Sequence, residues 1–342
     1  MHRHLLNTIY MSEARGYLHL RRENVVIEVE GVEVQRIPLV NIQGIVAHDM
    51  TMISPGLLRA CADQGVQVSW FSRSGRFIGS LRSPTTGNVL LRVDQYKASV
   101  DEVLCLRLAK TIVRGKATNA RLTLLRRARD AAPDQREQIQ HARRRLDALI
   151  PGIQRAETPD QLLGHEGNLA REYFAAFNAM ILAPGFTFEG RHHHPPLDPL
   201  NALLSFVYTL TTSLCVAACE GVGLDPQVGF FHALRVARPS CALDLVEEFR
   251  ASLADRFVFS LINRRQISSP KHFVDRPGGA VYLSDEGRKI VLRAWHSKLQ
   301  EEVHHTMLDR QLPFGLIPHA QARLLARHLR GDLEDYTPFE YT

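Results

Sequence analysis

Three short stretches of this chain concentrate side chains that bind hard cations. In Gly164-His165-Glu166-Gly167-Asn168-Leu169, Glu166 opens a segment whose other positions are largely apolar. The run from Gly223 to His232 is a glycine- and proline-rich turn that delivers His232 just after Phe230 and Phe231. The run from Ser240 to Arg250 carries Asp244 and Glu247 at i and i+3, so a helix there aims both carboxylates at one region of space. Carboxylates with one imidazole form an oxygen-rich donor set, which suits Mg2+ or Mn2+ better than structural zinc. A cation so held would lower the pKa of water or a hydroxyl and stabilise a leaving phosphate oxygen. The bland alternative is a hydrogen-bonded core histidine at His232 and two surface acids on a helix.

Other histidines read differently. A zincin is excluded, because HExxH needs histidine where Leu169 stands. In Arg191-His192-His193-His194 the consecutive side chains of a proline-flanked loop point different ways, which favours phosphate contact over a metal. His304 and His305 have no readable partner and read as surface.

Lysine plus arginine (42) exceed aspartate plus glutamate (36), a formal charge of +6 that suits a polyanion without demanding one. The excess is concentrated: from Arg107 to Arg145 there are 12 basic residues and 3 acids. Arg107, Lys110, Arg114 and Arg121 share one side of a helix and form a candidate stripe along a phosphate backbone or a solvated helix face, and Lys116 is a further candidate DNA contact. The five cysteines include no CxxC pair, so neither a disulfide framework nor a zinc knuckle is readable and a reducing cytoplasm fits best. Cys215 and Cys219 should be small buried side chains on one helix face. Pro199 to Cys219 is uncharged over the length of a membrane span, but its asparagine, serines, threonines and tyrosine favour a helix buried in protein over lipid.

These groups need elements to position them. Residues 1–82 read as β-rich, with alternating Val25–Val34 folding as a hairpin about Glu30-Gly31, further strands at Ile42–Ala47 and Val66–Phe71, and Arg76–Leu81 closing the region. Ser54-Pro55 opens a short helix between them. Residues 83–92, rich in turn formers, read as a linker. From residue 93 the spacing of Leu104, Leu108 and Ile112 turns helical, and residues 93–342 are expected to be an all-α domain. The acidic tail Gly331–Pro338 reads as loose. The fold class is α+β.

Four ordered motifs then carry a resemblance: Glu166-Gly167 followed by Tyr173-Phe174, Arg191 with Pro195–Ser205, Gly223–His232, and Ser240–Arg250. Gly115-Lys116 with Asn119 agrees, and so does the N-terminal strand pattern. Over almost its whole length the chain resembles the CRISPR-associated endonuclease and integrase of spacer acquisition, and Gly278–Arg288 resembles the branch found in type I-C systems. The resemblance implies a homodimerising N-terminal domain and metal ligands at Glu166, His232 and Glu247. Asp244 would be a further ligand or a group behind one. The cofactor would be Mn2+ or Mg2+, and the substrate double-stranded DNA, a prespacer joined through its 3′-hydroxyls to a CRISPR repeat. A small second adaptation protein would be the partner, and an iron–sulfur nuclease on another chain could trim prespacer ends. Tyr173, two helical turns beyond Glu166, would be a packing residue or a DNA contact, and Arg191 a DNA contact. The rivals are a stand-alone metal-dependent repair nuclease and a non-catalytic DNA-binding scaffold.

Overall fold

Alternating apolar residues in the first part of the chain build two small sheets. The computed structural model describes residues 8–11, 16–42, 44–48, 51–71, 77–81, 89–192 and 195–341. One sheet contains β1 (Thr8–Met11), β5 (Gly44–His48), β7 (Gln67–Phe71) and β8 (Phe77–Leu81), in the order β1-β5-β7-β8. The other contains β2 (Gly16–Arg21), β3 (Asn24–Val29), β4 (Val32–Pro38) and β6 (Met52–Ile53), in the order β4-β3-β2-β6. The β3–β4 hairpin turns at Glu30-Gly31 as its sequence predicts. Its wet face is β4, an edge strand exposed almost throughout, while Val25, Val26 and Ile27 of β3 are all buried. Helix α1 (Pro55–Gln64) starts where expected: the Ser54 side chain accepts the Leu57 N–H at 3.2 Å and Pro55 occupies the first turn. Leu18, Val25, Ile45, Leu57 and Val68 fill the core of this part.

The remainder is mostly helical, in the order α2 (Val89–Val100), α3 (Glu102–Asp130), α4 (Pro133–Arg155), α5 (Pro159–Ala175), α6 (Phe177–Met180), α7 (Pro199–Val222), α8 (Ser240–Phe249), a π-helical turn (Arg250–Asp255), α9 (Arg256–Asn263), α10 (Ser269–His272), α11 (Asp285–Gln300) and α12 (Ile317–Leu329). Residues 83–88 of the expected linker and His193-His194 lie outside the described residues, and α2 already begins inside the linker's remaining span. Two hairpins interrupt the helices, β9 (Phe273–Arg276) with β10 (Ala280–Leu283) and β11 (Glu302–His305) with β12 (Arg310–Pro313). In the first, Gly278-Gly279, both at positive φ, make the turn, and Ala280, Val281 and Leu283 are buried.

Helix α7 is the one described helix long and apolar enough to cross a membrane, yet 56% of its most apolar stretch is buried in this fold. Cys215 and Cys219 are fully buried on it, with Cys219 Sγ 3.9 Å from Cys241 Sγ. The C-terminal segment corrects the expectation of a loose tail. Tyr336 and Phe339 are buried, and the Asn119 side chain on α3 donates to the Phe339 carbonyl at 2.7 Å and accepts the Tyr341 N–H at 2.9 Å. Gly115 makes this closure sterically feasible, since a Cβ there would lie 2.5 Å from Pro338. His305 is also buried rather than on the surface, paired at 2.9 Å with Gln321.

Candidate metal centre

Three separate elements converge on one charged cluster. Glu166 stands in mid-helix on α5, which begins a full two turns earlier at Pro159 under a Thr158 cap, so it does not open the helix as its sequence suggested. Glu247 lies on α8 and is 2% exposed. His232 lies in the loop between α7 and α8. Lys116, on α3, reaches both acids: its ammonium pairs with Glu166, and its Nζ meets Glu247 Oε2 at 2.6 Å, though without hydrogen-bond geometry. His232 Nε2 is 3.8 Å from Glu247 Oε1, which also accepts from Arg250 Nε at 2.9 Å. Burial works against the ionised form of Glu247, but the charges of Arg250, Lys116 and His232 outweigh it and hold its pKa down to about 2.

Asp244 explains how His232 is aimed. One carboxylate oxygen accepts the backbone N–H groups of Phe230 and Phe231 at 2.6 and 3.1 Å. The other accepts the His232 N–H at 2.9 Å and contacts Nδ1 at 2.8 Å. With both oxygens so occupied, Asp244 supports the histidine from behind rather than joining Glu247 at the cluster. Asp244 thus takes the proton on Nδ1 and turns Nε2 toward Glu247. Gly229 allows the turn to approach α8 this closely, because a Cβ would fall 2.6 Å from the Ser240 carbonyl carbon.

Two carboxylates and an imidazole nitrogen are the donor set a hard or borderline divalent cation accepts. Among the described residues no group of three or more His, Cys, Asp or Glu side chains stands ready-made as a metal cage. The Lys116 ammonium bridges the acids instead. Glu166 and Glu247 thus share Lys116, and His232 faces Glu247, while Asp244 stands one step back.

The basic residues sort into two groups. Arg107, Arg114 and Arg121 are exposed on α3, although Arg121 also pairs with Asp147 at 2.9 Å. Lys110 Nζ donates to the Gln154 carbonyl at 3.0 Å. Three residues expected at DNA are engaged inside the protein. Lys116 turns to the acids. Tyr173 is buried, its ring edge-on to Phe177, because it faces the aromatic core on α5. Arg191 donates to Asn201 Oδ1 at 2.8 Å and Ser205 Oγ at 3.0 Å, bracing the loop before α7, and lies over the Tyr208 ring. Tyr208 in turn donates to buried Asp255 at 2.6 Å and carries Arg250 on its ring. The π-helical turn supplies both Arg250 and Asp255, a distortion frequent beside functional sites. Sequence reasoning missed Tyr208, Asp255 and the pairing role of Arg250. The only available signal was the polar Tyr208 within an apolar helix.

Fold and cluster together define a two-part α+β protein with an acidic, histidine-bearing centre of the kind that serves metal-assisted phosphoryl transfer. Comparison with known proteins makes this specific. The family model described as CRISPR associated protein Cas1 matches residues 9–297. The chain is 45% identical over 341 residues to a CRISPR-associated endonuclease Cas1 of Moorella thermoacetica, covering 98% of this chain and 99% of that one. It is 33% identical over 336 residues to a CRISPR-associated exonuclease Cas4/endonuclease Cas1 fusion of Geobacter sulfurreducens, covering 97% of this chain and 60% of the fusion. Among solved structures, a casposase bound to its integration product superposes with a TM-score of 0.83 at 22% identity, covering 98% of this chain and 95% of that one. A Cas6-RT-Cas1–Cas2 complex gives 0.83 at 21% identity, covering 98% of this chain and 36% of that one. The chain belongs to the Cas1 family of CRISPR-associated endonucleases, whose nucleases are metal-dependent.

Proposed function

We propose that this chain joins the 3′-hydroxyl ends of a short prespacer duplex to a CRISPR repeat by transesterification, and hydrolyses phosphodiesters when water replaces the hydroxyl. The observation that carries this reading is that Glu166 and Glu247, from two helices distant in sequence, share Lys116 while His232 faces Glu247. These three residues would hold Mg2+ or Mn2+. When bound, the cation supplies a lowered hydroxyl pKa and charge stabilisation of the leaving oxygen. The protein's own groups do the rest. Asp244 fixes the imidazole tautomer and leaves Nε2 free to donate its lone pair. Arg250 offsets the charge of Glu247 and is itself held on Tyr208. Arg107 and Arg114 offer exposed guanidinium groups to the DNA backbone.

The same reading extends to partners. The Cas1–Cas2 complex among the similar structures supports a small second adaptation protein as partner, and the Cas4/Cas1 fusion supports an exonuclease working beside this chain, in the place the iron–sulfur trimming nuclease would take. Gly278–Arg288, which forms the β9–β10 turn and the start of α11, supports placement in a type I-C-like branch. Residues 1–82 would form the homodimer contact, residues 83–92 a linker and residues 93–342 the catalytic domain. The free cysteines fit work in the cytoplasm.

The test incubates the full chain and its small partner with Mn2+, a repeat-bearing plasmid and a duplex labelled next to its 3′-hydroxyls. Label entering the plasmid, and lost in Glu166→Ala and His232→Ala, is the expected result. Cleavage without joining would favour a repair nuclease, and activity untouched by Glu166→Ala would favour a non-catalytic scaffold.

A further inference from the structure

Lys116 occupies an unusual position for a residue within a basic helix. Its neighbours on α3 are committed elsewhere: Gly115 packs on Pro338, and Asn119 latches the C-terminal segment. Those contacts fix the rotation of α3 and send Lys116 inward. Its side chain is 16% exposed and reaches two acids from different helices, one of them 2% exposed. A contact this sheltered is not a surface ion pair dissolved by salt. The oxygens it holds belong to the same carboxylates a divalent cation would need. An ammonium and a divalent ion packed against one carboxylate pair would repel each other strongly in so sheltered a place.

We propose that Lys116 is a built-in counter-ion of the Glu166–Glu247 pair, which a divalent cation must displace, and that the released ammonium then faces a DNA phosphate. The proposal rests on Glu166, His232 and Glu247 being cation ligands. It gives the acids a partner while no metal is bound, so that the centre stays folded and neutralised. It also lowers intrinsic metal affinity, because entry of the metal requires breaking an ion pair. Metal and DNA should therefore bind cooperatively, since a phosphate gives the displaced ammonium a new partner.

The experiment measures Mn2+ alone binding to the full chain without DNA, from the free-ion electron paramagnetic resonance signal. Lys116→Met should bind Mn2+ roughly tenfold tighter than the native chain, or more. Arg114→Met removes an exposed positive charge from the same helix and should change affinity by less than about twofold. Equal affinity in the native and Lys116→Met chains overturns the counter-ion role while leaving the ligand reading intact. Absence of Mn2+ binding in both overturns the ligand reading as well. A second measurement needs no variant and decides the matter if Lys116→Met does not fold. Acetylation of Lys116 by acetic anhydride, read by mass spectrometry, should rise several-fold when Mn2+ is added to the native chain. Reactivity unchanged by saturating Mn2+ overturns the proposal.

Discussion

Replacing Asp244 with asparagine tests how the centre is assembled. The carboxylate accepts four donors: the N–H groups of Phe230 and Phe231 on one oxygen, and the N–H and Nδ1 of His232 on the other. Asparagine is nearly the same shape but turns one oxygen into a donor. Whichever way the amide faces, two donors meet a donor. Asp244 is 1% exposed, so water cannot replace the lost partners. Each buried donor left unsatisfied costs about 1–3 kcal/mol, and the pair about 2–6 kcal/mol. At about 2 °C per kcal/mol for a domain of this size, Tm should fall by about 4–12 °C. The imidazole also loses the group that fixes its tautomer, and loss of such support behind a ligating histidine lowers metal affinity by about 10–100-fold. Differential scanning calorimetry and Mn2+ titration of Asp244→Asn measure the two effects. A variant with native Tm and native Mn2+ affinity would refute the claim that Asp244 builds the histidine turn.

Further expectations follow from groups around the centre. Burial raises the Asp255 carboxyl to about 6 against the lowering effect of the Tyr208 hydrogen bond and of the Arg250 and Arg191 charges, so its folded-state pKa exceeds the ordinary 3.8. Its contribution is therefore full below about pH 4 and is lost as pH rises through about 6, a change of at most about 3 kcal/mol, and Asp255→Asn should remove that slope from denaturant-unfolding curves taken across this range. Phe339→Ala removes a ring that is 2% exposed and should cost about 3–5 kcal/mol while opening the C-terminal segment to limited proteolysis; resistance equal to the native chain would contradict the packed tail. Arg107→Gln with Arg114→Gln should reduce the slope of log K against log salt for duplex binding by about two, while Arg191→Gln leaves it nearly unchanged, because that guanidinium is bound inside the protein.

What could be read from the sequence was local. Ser54-Pro55 caps a helix and Glu30-Gly31 turns a hairpin, while Glu166, His232 and Glu247 are singled out as ligands by the family resemblance of the motifs that carry them. What could not be read depends on distant partners. The helical spacing of Arg107, Lys110, Arg114 and Arg121 finds a face that Lys116, two residues after Arg114, does not share, but it cannot say which acids Lys116 meets, since they lie on α5 and α8. The tail looked loose because Gly331–Asp335 is polar. What anchors it is Glu248, which contacts the Tyr336 hydroxyl and accepts the Phe339 N–H at 2.8 Å. Burial pushes Glu248 up to about 7 despite these hydrogen bonds, the cost of placing a carboxyl under a closing segment. His305 likewise needed Gln321, which nothing nearby in sequence announces.

The charges at the centre account for why such hidden pairings matter. Glu166 and Glu247 bring two negative charges, and Lys116 and Arg250 bring two positive ones, so the four balance as they stand. Arg250 cannot easily leave, because Tyr208 holds its guanidinium from the far side. Lys116 has no such second anchor, and its long flexible stem allows a new direction. A divalent cation entering this balanced set adds two positive charges to a sheltered place, and balance returns only when two events occur together: departure of the movable ammonium and arrival of an anion. A DNA phosphate permits both, since it supplies negative charge and receives the ammonium. The arrangement thus favours metal and nucleic acid together over either alone, a preference set by which of two cations is tethered.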